Sequence, residues 1–208
     1  MQLINKDAIK KTLIHTWYFY PLAIALSTLL WMWGFQAFHQ PTKHQKLVMF
    51  VSANVKSDNF AKKIMNEHYE RENLREVDVI GNLPSTVGYT SKLNIYLNDS
   101  DYLILDEGTI EQVNARVSDF FVEMTSYVKE YVPATASYYS KDTKDYGVKI
   151  KTKNENNYLS TYLTFDESKD YYLLLSKTSK NLGKTLDEKN EKHDNALTYM
   201  NYLLTECL

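Results

Sequence analysis

The stretch WYFYPLAIALSTLLWMWGFQAF, Trp17 to Phe38, carries no charged residue over 22 positions. At about 1.5 Å per residue, a helix of that length reaches roughly 33 Å, against a hydrocarbon core of about 30 Å. A secretion signal has a shorter apolar stretch, about 7–15 residues, that ends in small side chains at its cleavage site. Here the far end reads WMWGFQAFHQP, bulky where a peptidase needs small residues. The three tryptophans, Trp17, Trp31 and Trp33, all fall at the ends of the run, where an indole keeps its ring in lipid and its N–H wet. A buried core helix this long would carry a polar stripe. The run therefore predicts an uncleaved transmembrane helix over 17–38.

The flanks set its direction. Lys6, Lys10 and Lys11 precede the run with a single acid, Asp7, in a segment too short to be a domain. Short basic flanks favour the cytoplasm, whereas long domains translocate with little regard for charge. His39, Lys43, His44 and Lys46 follow the run and oppose that bias. The expected layout is a cytoplasmic segment 1–16, the membrane helix 17–38, a linker 39–46 and an extracellular domain 47–208 in the cell membrane. Protease added to intact cells or spheroplasts is expected to remove the region after Lys46; protection of that region would reverse the topology.

Five of the 24 basic residues and one of the 26 acidic residues precede Leu47, so the remainder has a formal charge of −6. Arg71, Arg75 and Arg116 are its only arginines. A nucleic-acid binder needs a basic footprint that this composition lacks. The single cysteine, Cys207, excludes an intramolecular disulfide and stands too near the end for a prenylation box. The reading assigns no cofactor and no metal: His39 and His44 lie in a stretch without acids, and His68 stands alone beside Glu67.

The first part of the domain alternates between two periods. KLVMFVSA (46–53) is a Val-rich apolar run, as in a strand covered on both faces. Phe60, Ile64, Met65 and Tyr69 then share a helical face. EVDVIGN (76–82) gives a second strand, 86–97 a helix, and YLILDEG (102–108) a third strand. Ile110, Val113, Val117, Phe120, Phe121, Met124 and Val128 recur at three- and four-residue spacing, which predicts one long amphipathic helix near 109–131. Strand–helix alternation points to an α/β domain, a three-layer αβα stack around a mainly parallel sheet with right-handed crossovers. Beyond it, strands are expected at 146–151, 158–165 and 171–176, with a closing helix from about Asp194 that carries Ala196, Leu197, Met200, Leu203 and Leu204 on one side.

LNDSDYLILDEGTI (97–110), DYGVKI (145–150), LTFDESKDYYLLLSKTSKNLG (163–183) and HDNALTYMNYLL (193–204) together resemble extracellular solute-binding proteins of ABC importers. The resemblance implies one lobe of a periplasmic-binding-protein fold, in which a stretch like SDYLIL forms the third strand and a late strand, a Ser-x-Asn turn and a final helix return to the same lobe. It also implies a transporter permease or another membrane subunit as partner, and a small solute as ligand. The chain is too short for two full lobes, which puts capture between closing lobes in doubt.

Ligands of open parallel sheets gather beyond the carboxyl ends of the strands. Those ends supply Ser52 and Asn54, then Asn82, then Asp106 and Glu107. The alternative is that these residues cap turns and that the acids begin a helix. Tyr138 with Tyr139, and Tyr171 with Tyr172, offer flat amphipathic rings to a ligand or partner. There is no nucleophile elbow, no phosphate loop and no Cys/His pair, so a non-enzyme is expected. Two function classes stay open: a tethered solute-binding module of a transport complex, and an interaction subunit that docks on a membrane partner without solute.

Overall fold

The computed structural model describes residues 16–41, 45–68, 74–113, 116–182 and 195–207. They form two compact units that part between Gln40 and Pro41.

The first unit is helix α1 (Phe19–His39), 21 residues long. Its span Phe19–Phe38 is long and apolar enough to cross a membrane, and none of it is buried in protein. A core helix would bury such a surface. The two hydroxyls in its middle stay inside the helix, Ser27 and Thr28 both donating to the Ile24 carbonyl at 2.9 and 2.8 Å. Neither hydroxyl is left as an unsatisfied donor on the apolar helix surface.

The second unit runs β1 (Lys46–Val51), β2 (Asn54–Val55), α2 (Asn59–His68), β3 (Glu76–Gly81), α3 (Tyr89–Asp99) and β4 (Tyr102–Asp106). Three short helices follow, α4 (Glu107–Gln112), α5 (Val117–Phe120) and α6 (Ser126–Lys129). Then come β5 (Tyr138–Lys141), β6 (Lys144–Lys151), a 3-10 turn at Tyr158–Thr161, β7 (Leu163–Thr164), β8 (Tyr171–Leu175) and α7 (Asn195–Cys207). Six strands make one sheet in the order β3-β1-β4-β8-β6-β5. The three expected strands are parallel, with Lys46 opposite Glu76 and Met49 opposite Tyr102. The other half is antiparallel, β8 against both β4 and β6, and β5 against β6. The sheet is thus mixed rather than mainly parallel.

Alternate side chains serve opposite faces. Leu47, Met49 and Val51 of β1 pack with Ile104, Leu173, Phe60, Ile64 and the α7 residues Ala196, Leu197, Met200, Leu203 and Leu204. Phe50, Leu103, Leu105 and Leu174 pack on the other face against Tyr89, Leu93 and Leu97 of α3. Both faces are covered, which gives the three layers. Tyr69 and the stretch 184–192 lie outside the described residues.

The long helix expected near 109–131 is not there. The segment divides into α4, α5 and α6, and between the last two it runs extended beside the sheet. Phe121 bridges Ser176, the Val122 amide donates to the Leu175 carbonyl at 2.9 Å, and Met124 donates to Asp145 at 2.7 Å. Ile110, Val117, Phe120 and Phe121 belong to the α3 face, Val122, Met124 and Val128 to the α7 face. The apolar spacing therefore records a chain crossing from one face to the other. The strand expected over 158–165 is also mostly absent. Asn157 and Ser160 exchange side-chain-to-backbone bonds in a capping box that starts the 3-10 turn, leaving only Leu163 and Thr164 extended.

Gly81, at the end of β3, allows a close crossing: a Cβ there would lie 2.6 Å from the Ala53 carbonyl oxygen and 2.9 Å from the Val55 amide. Both obstacles are backbone and cannot turn aside. Gly81→Ala is expected to destabilise the domain by about 1–3 kcal/mol, measured by chemical denaturation of the full chain in detergent. An unchanged midpoint would show that β2 moves freely.

Candidate functional site

Strands β1, β3, β4 and β6 point the same way, so their carboxyl ends share one edge. A line of hydroxyls runs along it. Ser52 Oγ meets Tyr89 Oη, Tyr89 Oη donates to Thr109 Oγ1 at 3.3 Å, and Thr109 Oγ1 donates to Asp106 Oδ2 at 2.6 Å. A carboxylate only accepts, so each hydroxyl in the line donates toward Asp106. The Thr109 amide also donates to Asp106 Oδ1 at 3.3 Å, making Asp106 the N-cap of α4. Lys169 Nζ completes the shell at 2.9 Å from Asp106 Oδ1.

Of the two roles the sequence leaves open for Asp106, the one seen here is the cap of a helix. Asp106 is 1% exposed, and both of its oxygens are engaged. Ser52 is buried behind Tyr89, whose hydroxyl is raised above its ordinary pKa chiefly by burial. Asn82 is buried and its amide donates to the Val51 carbonyl at 3.0 Å, but its side-chain Nδ2 has no partner. Asn54 is exposed and pairs with Thr164 across β2 and β7. Glu107 is exposed at the start of α4.

The tyrosines divide. Tyr171 and Tyr172 are buried, not displayed. The Tyr171 hydroxyl accepts the Asp166 amide at 3.0 Å, and burial pushes its pKa up to about 12. Tyr138 and Tyr139 stay half-buried on β5, at the far end of the sheet from β3. Tyr139 nevertheless reaches the strand-end edge. Its ring packs edge-on against Tyr172 at 5.5 Å, and its hydroxyl is raised by burial first and then by Glu111 and Glu107. Tyr138 points to the opposite face, under the Lys129 ammonium at 4.7 Å.

The sequence reading passed over the residues that complete this edge. Asp106 carries an N-cap signal, an Asp where an apolar strand gives way to a helix, and Thr109 is the residue whose amide it caps. Lys169 and Tyr89 carry none, because they arrive from other elements. Lys151, the last residue of β6, is 3% exposed. Among the described residues, three grooves open on the domain, two away from this edge and one beside it. One of about 390 Å³ runs between α2 and the free side of β3, and one of about 210 Å³ lies by Asp101 and Ser179 at the strands' amino ends. The third, of about 310 Å³, adjoins Lys151.

No protein-family model matches the chain, and no curated protein matches it.

The Lys149–Asp170 pair, at 2.6 Å, braces the β6–β8 end of the edge. The hydrogen bond from Lys149 holds the Asp170 carboxyl below its ordinary pKa, and Asp170 raises Lys149 in turn. A lowered carboxyl adds stability above its unfolded pKa, near 4, and loses it as the pH falls through the folded value. A raised ammonium adds stability below its unfolded pKa, near 10.5, and loses it as the pH rises through the folded value. Asp170→Asn is therefore expected to cost about 1 kcal/mol at pH 7. The gap to wild type should close as the pH drops below about 4. Denaturation midpoints across pH check this, and a gap that persists in acid would refute it.

Proposed function

We propose that the chain is a membrane-anchored, extracytoplasmic interaction subunit of a transport-associated membrane complex, shaped like one lobe of a solute-binding protein. The observation that carries the docking role is the state of the strand-end edge. Asp106 and Ser52, the groups that would greet a solute, are already bonded within the domain. What the edge exposes instead is Asn54, Glu107, Glu111 and the Val87 tip of the loop before α3, with Val87 99% exposed. An isolated apolar tip among polar and acidic groups suits a protein partner better than a small solute.

The lobe-like reading draws on Asp101, whose carboxylate accepts the Val48 amide at 2.8 Å, Ser179 Oγ at 2.6 Å and Asn181 Nδ2 at 3.1 Å. The Ser-x-Asn turn after β8 thereby returns to the strand that opens SDYLIL, and the Asn181 carbonyl accepts the Ala196 amide at the start of α7. This connection supports the lobe-like reading. The α1 anchor keeps the domain near membrane partners and raises its effective concentration there. In this reading the N-terminus is cytoplasmic, the domain is outside, and the protein catalyses no reaction. Within the domain, the docking edge stands a strand length, about 20 Å, from the amino end of β1.

Asn82 favours a second reading, solute capture, because its buried Nδ2 lacks a partner. One experiment separates the two. Asn54→Ala, Asn82→Ala and Glu107→Ala are combined, and folding and membrane insertion are verified. Solute binding and recovery of complexes in mild detergent are then measured. Loss of complex recovery alone is expected; loss of solute binding alone would favour capture, and no change in either would reject this edge as a site.

A further inference from the structure

We propose that the groove at the end of β6 binds a small oxyanion, a carboxylate or a phosphate, through the Lys151 ammonium. A β-bulge creates the position. Between Lys149 and Lys151 the register with β8 shifts, so Lys149 stands opposite Tyr172 and Lys151 opposite Tyr171. In a regular strand, residues two apart share a face. The bulge instead sends the two lysines to opposite faces, Lys149 over the Tyr172 ring at 5.5 Å and Lys151 over the Tyr171 ring at 5.7 Å. Bulges beside functional sites re-aim side chains in this way.

Lys151 is buried without an ion-pair partner of its own among the described residues. Its ammonium donates one 3.3 Å bond, to the Thr152 carbonyl. The charge of Lys151 is felt by two acids, Asp166 and Asp170, but both give their hydrogen bonds to other donors: Asp170 accepts Lys149 Nζ and the Lys153 amide, and Asp166 accepts the Ser168 amide and hydroxyl. An ammonium has three donors, and a buried charge is stable when paired. Lys149, Lys151 and Thr152 all line the groove of about 310 Å³, together with the exposed Thr135, Ser137 and Asn156, and the Lys149 ammonium is held by Asp170 at 2.6 Å. That size is at the lower end of ligand pockets, roughly 300–1,000 Å³. Glu155 sits exposed on the groove, which limits the ligand to one compact anionic group held at the lysine. Hydroxyl and amide donors around a single buried cation are the complement of an oxyanion. This inference does not depend on the docking role or on the resemblance to solute-binding proteins.

The test is the thermal midpoint of the full chain in detergent, read by near-UV circular dichroism. Sodium phosphate, sodium acetate and sodium chloride are compared at matched ionic strength. At about ten times its dissociation constant, a bound oxyanion raises the folded-to-unfolded ratio about ten-fold. Phosphate or acetate is expected to raise the midpoint above that in chloride, saturably. The increment should vanish in Lys151→Met, whatever that variant's own stability. It should shrink in Thr135→Val, which leaves the buried charge untouched and reports on the groove if Lys151→Met does not fold. An oxyanion effect no larger than that of chloride overturns the proposal. So does an increment that survives in Lys151→Met, or, where that variant does not fold, one that is unchanged in Thr135→Val.

Discussion

The pairing of β4 with β8 holds the two halves of the domain together. Five residues of each strand lie in register, from Tyr102 opposite Leu175 to Asp106 opposite Tyr171, and every one of the ten is buried. The partners are about seventy positions apart, so the loop between them closes at a large entropic cost that only the apolar burial on both faces offsets. With β8 seated, β6 and β5 extend the sheet. The crossing segment Phe121–Met124 finds its hydrogen bonds at Leu175 and Asp145.

Both polar clusters hang from that pairing. At the amino end of β4, Asp101 gathers Val48, Ser179 and Asn181; at the carboxyl end, Asp106 gathers Thr109 and Lys169. Asp106 draws one partner from three residues on and another from just before β8, whereas Asp101 draws Val48 from β1 and Ser179 and Asn181 from beyond β8. A carboxylate buried this deeply is stable only when its oxygens are saturated, so the two aspartates check the strand register at both ends. The same demand consumes the groups that a ligand would otherwise meet at β1 and β4. Asn82 and Lys151 are the strand-end groups that burial leaves under-paired.

The chain also separates its aromatic residue types between the apolar helix and the domain. All three tryptophans fall in or beside α1, and the domain relies on tyrosine for aromatic bulk. Tyrosine buries a ring and still offers a hydroxyl. Tyr89 joins the line to Asp106, Tyr102 donates to the Ala196 carbonyl, and Tyr171 accepts the Asp166 amide. These hydroxyls tie the α3 layer and the α7 layer to the strands between them.

Sequence alone determined the features that depend on local pattern. The charge-free run at 17–38 specified α1, alternating strand and helix periods specified β1, β3, β4 and α3, and the apolar spacing from Ala196 to Leu204 specified α7. Periodicity reports which residues are buried but not against which face. The run from Ile110 to Val128 therefore looked like one helix, while its residues serve two opposite layers. Only tertiary structure decided that β8 enters antiparallel between β4 and β6, and that Lys169 reaches Asp106 from 63 positions away. It also decided that a one-residue bulge turns Lys151 inward. These outcomes rest on contacts between distant residues, whose energies exist only once the chain has closed upon itself.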